Sequence, residues 1–332
     1  MSERPLISIV CPAYREEEVL PLFHAALVRG LEPLAIDYDL EILYVDDGSS
    51  DGTLDVMRRL AAEDSRVRYF SLSRNFGQQA ALSAGIEQAR GDAVVSLDSD
   101  LQHPPRLIPE LVTEWRKGAD VVHTIRAEDP RLSWFKRTTS RVFYRVLTSC
   151  SDLDVRAGAS DFRLLSRRAV DAFLRLRESH RYVRGMVQWL GFRSAEVRFE
   201  PDARGAGVSK YTLRPLLRLA LDGLLSFSPV PYRFAVGAGL ALTAVSGIAS
   251  IAAVLAFVGW GEPVGRVGVI GMAALHLVAT SILLAAGMLG EYVFRIYEQA
   301  KDRPAYVIGE TNVEASAGAV RLPADRRANR AA

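Results

Sequence analysis

Two aspartates one residue apart, Asp98 and Asp100, follow the apolar run 92–97 and precede Gln102-His103-Pro104-Pro105. At that spacing, both carboxylates can reach one hard divalent cation through oxygen ligands. Such a cation also binds phosphate oxygens, so the pair suits a nucleotide diphosphate leaving group whose charge a metal neutralises. Acidic pairs are common on surfaces; the position of this one, after a buried-looking strand, sets it apart. Three further apolar runs end in polar segments: Pro12-Ala13-Tyr14-Arg15-Glu16-Glu17, Asp46-Asp47-Gly48-Ser49-Ser50-Asp51-Gly52-Thr53 and Ser73-Arg74-Asn75-Phe76-Gly77. None of these segments is a GxGxxG or GxxxxGK[ST] phosphate loop, which disfavours a dinucleotide-binding Rossmann enzyme or a P-loop NTPase. Further on, Arg204-Gly205-Ala206-Gly207-Val208-Ser209-Lys210-Tyr211 is a glycine-flanked basic stretch. Backbone amides, Arg and Lys of such a loop can meet phosphate, or it can simply be solvated.

The elements that must carry these residues alternate. Strand-like runs lie at 6–11, 40–45, 67–72, 92–97 and 119–125, and helical patterns at 16–29, 53–63, 76–89 and 105–117. This alternation predicts an α/β fold with a mostly parallel sheet and helices on both faces. Ligands of such sheets bind beyond the carboxyl ends of the strands, where all four polar segments stand.

The chain has 332 residues, 49% of them hydrophobic and 24% charged, with a formal net charge of +2. That balance argues against a nucleic-acid partner. Two cysteines, Cys11 and Cys150, are too few for a disulfide framework or a structural zinc site. No apolar leader precedes a cleavage site at the N-terminus. The mean hydropathy of +0.08 is high for a soluble chain. Its cause is two uncharged stretches, 234–258 and 267–290, joined by a short loop. Each is near the roughly 20 residues that span a bilayer core, so they read as a transmembrane hairpin rich in small residues that permit close packing. Arg233 precedes the first span, and Arg295, Lys301 and Arg303 follow the second. The positive-inside tendency then puts both termini, and the domain before the hairpin, in the cytoplasm.

The expected organisation is a catalytic domain over 1–230, a hairpin over 231–293 and a partly disordered tail over 294–332. Basic amphipathic segments at 132–148 and 212–227 are expected to lie in the headgroup plane.

The series PAYREE, VDDGSSDGT, LSRNFGQQAALSAGI, LDSDLQHPP and GASDFRLLSR resembles the inverting glycosyltransferases of family 2, which have a GT-A-type nucleotide-sugar domain. The best match is the branch that transfers a sugar to polyprenyl phosphate and includes dolichyl-phosphate mannose synthase, in its subtype with a C-terminal transmembrane pair. The resemblance covers about residues 5–300. It implies that Pro12, Tyr14, Glu16 and Asp47 line the base and ribose pocket, with Asp46 either sharing that role or supporting the loop. Asn75 and Gln79 would border nucleotide and sugar. Asp98 and Asp100, helped by Gln102, would hold Mg²⁺ or Mn²⁺ with the diphosphate. Ser99 stands where the family more often has a small residue such as Ala. Asp161 would be the acidic residue near the acceptor, acting as a base or orienting the substrates. Arg126, Arg131, Arg204, Ser209, Lys210 and Tyr211 would face the phosphates.

The implied reaction is transfer of one sugar from a UDP- or GDP-linked donor to polyprenyl phosphate with inversion at the anomeric carbon. A processive polysaccharide synthase is one rival. Gln188 and Trp189 resemble part of its Q-x-x-R-W signature, but the arginine is missing and a hairpin supplies no export channel. A silent membrane-anchored subunit that only binds nucleotide-sugar is the other rival. The hairpin could also join copies as a homo-oligomer.

Overall fold

The computed structural model describes residues 4–126, 159–176, 178, 181–199, 230–260 and 264–313. The amphipathic segments expected at 132–148 and 212–227 lie outside the described residues. Two compact units form: one holds the sheet and includes residues 304–313, and the other holds the two long apolar helices.

The sheet unit begins with strict alternation. Strands β1 (Leu6–Ala13), β2 (Asp39–Asp46), β3 (Val67–Leu72), β4 (Ala93–Ser96) and β5 (Val121–Arg126) are separated by helices α1 (Leu20–Leu31), α2 (Thr53–Glu63), α3 (Gln78–Gln88) and α4 (Ile108–Arg116). The strands are continuous apolar runs because helices cover both faces: Ile7, Ile9, Val10, Ile42, Leu43 and Phe70 are all fully buried. Helix α1 turns Leu20, Phe23, Leu27 and Leu31 inward at helical spacing, and Pro21 opens its first turn.

Strand order is β7-β5-β6-β4-β1-β2-β3-β8. Here β6 is Ala159–Ser166, β7 Ser194–Phe199 and β8 Ile308–Thr311. β1 pairs parallel with β2 and β4, and β2 with β3, so the carboxyl ends line up: Ala13 faces Asp46, and Asp46 faces Ser71. β6 runs antiparallel between β4 and β5, with Arg163 opposite Ser96. Its first residues, Asp161 among them, therefore emerge at the edge where the parallel strands end. Helices α5 (Arg167–Leu174) and α6 (Val183–Trp189) follow β6. The Ser166 hydroxyl caps α5 by accepting from the Ala169 N–H at 3.2 Å.

The sequence reading gives no strand to the region after the hairpin. β8 nevertheless pairs antiparallel with β3 and forms one edge of the sheet. The domain thus draws on residues beyond the expected limit at 230.

Helices α7 (Val230–Trp260) and α8 (Val264–Ala300) contain the two expected spans and run past them. Both are long and apolar enough to cross a membrane, over Ala235–Ala256 and Gly268–Ala300. They meet through small residues: Ala235, Ser246, Ala253, Ala274 and Ser281 are buried, while Leu240, Ile248, Leu275 and Leu283 are exposed. The Ser246 hydroxyl donates across the pair to the Ala274 carbonyl at 2.7 Å. His276 bonds its own helix, with Nδ1 2.8 Å from the Met272 carbonyl.

Gly85 brings α3 directly onto the sheet. A Cβ there would stand 2.2 Å from Val10 Cγ1 and 3.1 Å from Val45 Cγ2. Gly85→Ala should therefore overpack this contact and cost about 1–3 kcal/mol in a denaturant or thermal unfolding series. An unchanged midpoint would mean that α3 can slide on β1 without loss.

Candidate active site

The rim at the carboxyl ends of β1, β2, β3 and β4 is built from loops that bind one another. Asp46 closes β2, and its carboxylate accepts from the Ser49 N–H at 2.9 Å and the Ser71 hydroxyl at 2.7 Å. It supports the loop, one of the two roles open to it from sequence. Asp47 accepts from the Phe76 N–H at 2.7 Å and from the Gly77 N–H at 2.9 Å, tying the second loop to the third. Burial pushes the Asp47 carboxyl above its ordinary pKa, opposed by those two N–H groups. Gly48 has φ +65°, and a Cβ would meet the Arg74 backbone carbon at 2.3 Å, so the two loops touch only because this residue is glycine.

The first loop joins the same rim. The Arg15 N–H donates to the Ser49 hydroxyl at 3.0 Å, and the Glu16 N–H to the Thr53 hydroxyl at 2.9 Å. Buried Ser99 donates to the Pro12 carbonyl at 2.8 Å, which gives the family's unusual residue between the two aspartates a structural task. Arg15 and Leu101 hold positive φ, +56° and +62°. Both strained residues lie on this rim, where such backbone is concentrated in functional loops. Tyr14 and Glu16 are half-buried and Asn75 is exposed.

Beyond β4 the carboxylates gather. Asp98 accepts from Gln78 Nε2 at 2.7 Å, and its backbone N–H donates to His103 Nδ1 at 3.3 Å. The His103 ring packs on Phe162 and Phe199, with centroids 5.6 and 6.0 Å away. Gln102 turns both its N–H (3.0 Å) and its side-chain amide (2.8 Å) onto Asp100. Burial, with Asp161 and Asp100 nearby, pushes the Asp98 carboxyl up to about 7.

Asp161 has the opposite fate. Arg184 grips it through Nε at 2.9 Å and Nη2 at 2.8 Å, and Arg163 adds a third bond at 2.9 Å. Burial alone would raise its pKa, but Arg184 and Arg163 hold it down to about 2. The Asp161 and Arg163 side chains are nearly inaccessible, 4% and 1%, whereas Arg184 keeps 33% exposed. Asp161 thus sits between two guanidinium groups that both favour its charged form.

Asp98, Asp100, Gln102 and Asp161 lie near one another beyond β4 and at the start of β6. Gln79 is tied up by accepting from the Val183 N–H at 3.0 Å, which fixes the start of α6. Arg126 ends β5, while Arg131, Arg204, Ser209, Lys210 and Tyr211 lie outside the described residues. Gln78, Arg163 and Arg184 escaped the sequence reading. Gln78 stands one residue from the expected Gln79, in the same QQ pair. Arg184 is the one charged residue of the short helix α6. Among the described residues no group of three or more His, Cys, Asp or Glu is arranged as a ready metal cage.

A mostly parallel α/β sheet with carboxylates clustered beyond its strand ends has the architecture of a GT-A-type domain. The chain belongs to glycosyl transferase family 2, whose family model matches residues 8–174. It is a glycosyltransferase. Over 317 residues it is 37% identical to the uncharacterized glycosyltransferase YkcC of Bacillus subtilis, covering 93% of this chain and 94% of that one. It is 35% identical to the SfII prophage-derived bactoprenol glucosyl transferase of Shigella flexneri over 306 residues, 92% and 98% of the two chains. Among solved structures, glucosyl-3-phosphoglycerate synthase of Mycobacterium tuberculosis, crystallised with Mn²⁺, UDP-glucose and phosphoglyceric acid, aligns at a TM-score of 0.44 and 22% identity, over 67% and 79% of the two chains.

The two arginines on Asp161 differ in what their loss leaves behind. Asp161→Asn strands fully buried Arg163 without an anion and should cost about 3–5 kcal/mol. Arg184→Gln leaves Asp161 paired with Arg163 and should cost clearly less. Unfolding of the detergent-solubilised variants would check the order; the reverse order would show that Arg184 carries the balance.

Proposed function

We propose that this glycosyltransferase moves a single sugar from a UDP- or GDP-linked donor to the phosphate of a polyprenyl lipid, with inversion at C1. The observation that carries the donor half is the Asp98–Asp100 pair beyond β4, backed by Gln78, Gln102 and the Asp161–Arg184 pair. The acceptor half draws on full-length similarity to proteins named bactoprenol glucosyl transferase, together with two helices able to span a membrane.

The donor set suits a hard cation. Asp98 and Asp100 offer only oxygen ligands, and burial together with the neighbouring Asp161 and Asp100 carboxylates raises the Asp98 pKa. Two carboxylates without a full protein cage match the way Mg²⁺ is usually held, with phosphate and water completing its shell. Asp98 and Asp100, with Gln102 steadying Asp100, would hold Mg²⁺ or Mn²⁺, which supplies charge neutralisation for a diphosphate leaving group.

The acceptor phosphate is already largely anionic at neutral pH, with a second pKa near 6. It needs no strong base. Asp161, clamped by Arg184 and Arg163, is suited to hold Arg184 at the mouth of the cluster and to orient hydroxyls rather than to take a proton. Tyr14, Glu16 and Asn75, still accessible on the rim, would meet base and ribose together with Pro12. Asp46, Asp47 and Gln79 would hold the loops that present them. Arg126, Arg131, Arg204, Ser209, Lys210 and Tyr211 would align the two phosphates against their repulsion. Arg233 before the first span and Arg295, Lys301 and Arg303 after the second favour a cytoplasmic domain by the positive-inside tendency.

The full chain should transfer sugar from UDP-glucose or GDP-mannose to a short polyprenyl phosphate in Mg²⁺. Asp98→Asn and Asp100→Asn should each lower turnover at least about a hundredfold, and EDTA should do the same to the wild type. Full activity under either condition would dispose of the metal role. Lys210→Ala and Arg131→Ala should impair lipid use, read from initial rates, more than nucleotide binding, read by calorimetry. Equal losses would assign these residues to the donor or to the fold.

A further inference from the structure

Residues 304–313 follow both apolar helices in the chain, yet they belong to the sheet unit. β8 lies antiparallel to β3, with Glu310 opposite Ser71 and Ile308 opposite Leu72. The Ser73 N–H extends the ladder by donating to the Val307 carbonyl at 2.8 Å. Ile308 is fully buried and Tyr306 nearly so. Asn312 grips β3 with its side chain, accepting from the Tyr69 N–H at 2.9 Å and donating to the Val67 carbonyl at 3.2 Å. Glu310 takes a two-pronged bond from Arg58 of α2, at 2.8 and 2.6 Å, and the Tyr69 hydroxyl at 3.0 Å. That ion pair is half exposed and individually modest. The apolar side chains and the ladder give the segment its hold.

Both elements it grips serve the site. The Tyr306 hydroxyl donates to Glu87 at 2.7 Å, in the last turn of α3. The first turn of the same helix sends Gln78 to Asp98 and Gln79 to the N–H of Val183, next to Arg184. β3 sends the Ser71 hydroxyl to Asp46 at the base of the second loop. The segment thus braces α3 at the end opposite the carboxylates and closes an otherwise open strand edge.

We propose that Tyr306 and Ile308 are positioning residues of the donor site, acting through α3 and β3, so that catalytic competence depends on a strap made after both membrane helices. This rests on the donor-site reading above. Its physical consequence is an order of assembly. The strap is synthesised after the hairpin, so the sheet that carries the donor site is completed only when the hairpin already exists.

The test uses the full chain in detergent. Ile308→Ala loosens the strap, Tyr306→Phe deletes only the hydroxyl, and Glu87→Gln retains an acceptor where Glu87→Ala does not. In Ile308→Ala, amide exchange over Gln78–Gln88 and Val67–Leu72 should quicken at least about tenfold while Val121–Arg126 stays protected. Binding of UDP-glucose or GDP-mannose with Mg²⁺ should weaken by about tenfold, as expected when a positioned site loses its support. Tyr306→Phe and Glu87→Ala should give the same pattern in α3 at smaller amplitude, and Glu87→Gln should stay near wild type.

The proposal is overturned if the β8 amides lose protection while α3 exchange and nucleotide affinity do not move. It is equally overturned if Tyr306→Phe and Glu87→Ala leave α3 at wild-type protection. Should the wild type bind neither nucleotide-sugar, the donor-site reading fails; α3 exchange in the variants then decides the bracing separately.

Discussion

Like charges gathered in a half-buried space must be balanced, and the active end of this sheet is organised around that requirement. Asp98, Asp100 and Asp161 converge because β6 runs antiparallel and delivers its first residues to the edge where β4 ends. The chain resolves the repulsion unequally. Asp161 receives two guanidinium groups and is fixed as an anion. Asp98 receives a neutral amide from Gln78, and burial with the two neighbouring carboxylates outweighs Arg184 and keeps its pKa raised. Arg163, fully buried, leaves its Nε without a hydrogen-bond partner among the described residues. A buried ion pair of this kind returns little net stability, because desolvation offsets the attraction. Its value here lies in fixing where the charges stand.

The polar loops around this cluster act largely on one another. Asp46 and Asp47, side by side at the end of β2, both spend their carboxylates on neighbouring loops. Ser99 binds the Pro12 carbonyl across the β1–β4 gap, and Arg15 reaches Ser49 and Ser50. A motif residue can thus be indispensable without touching substrate. The two non-glycine residues with positive φ on this rim are tolerable because the cross-links over-determine the backbone there. A rigid rim also limits the reorganisation needed when a donor binds, which is how preorganised sites gain their effect.

Much of this was legible in the sequence where the information is local. Apolar runs bounded by helical periods located β1 to β5 and α1 to α4 to within a few residues. The polar strand ends then pointed to Asp98, Asp100 and the surrounding loops. What could not be read was non-local. Nothing in ASDFRLLS says that it inserts antiparallel between β4 and β5. The short run at 308–311 resembles tail until it meets the open edge of β3. Gln78 and Gln79 are identical in type, and only the phase of α3 decides which one reaches Asp98 and which one holds Val183. Arg184 is one of many arginines in the chain, and its importance appears only once Asp161 is found opposite it.

The helical hairpin narrows the chemistry by what it cannot do. Its two helices share one interface of alanine and serine, fixed by the Ser246 bond to the Ala274 carbonyl, and turn leucine and isoleucine outward. A pair with one interface encloses no channel, and bulky apolar side chains on the outer faces suit contact with hydrocarbon. His276 satisfies a ring nitrogen on its own helix, and the Tyr232 and Tyr292 rings meet across the pair with centroids 6.1 Å apart. Small residues at the contact and bulky apolar side chains outside are what an anchor in hydrocarbon requires, so the form of the hairpin agrees with the proposed transfer to a lipid-borne phosphate.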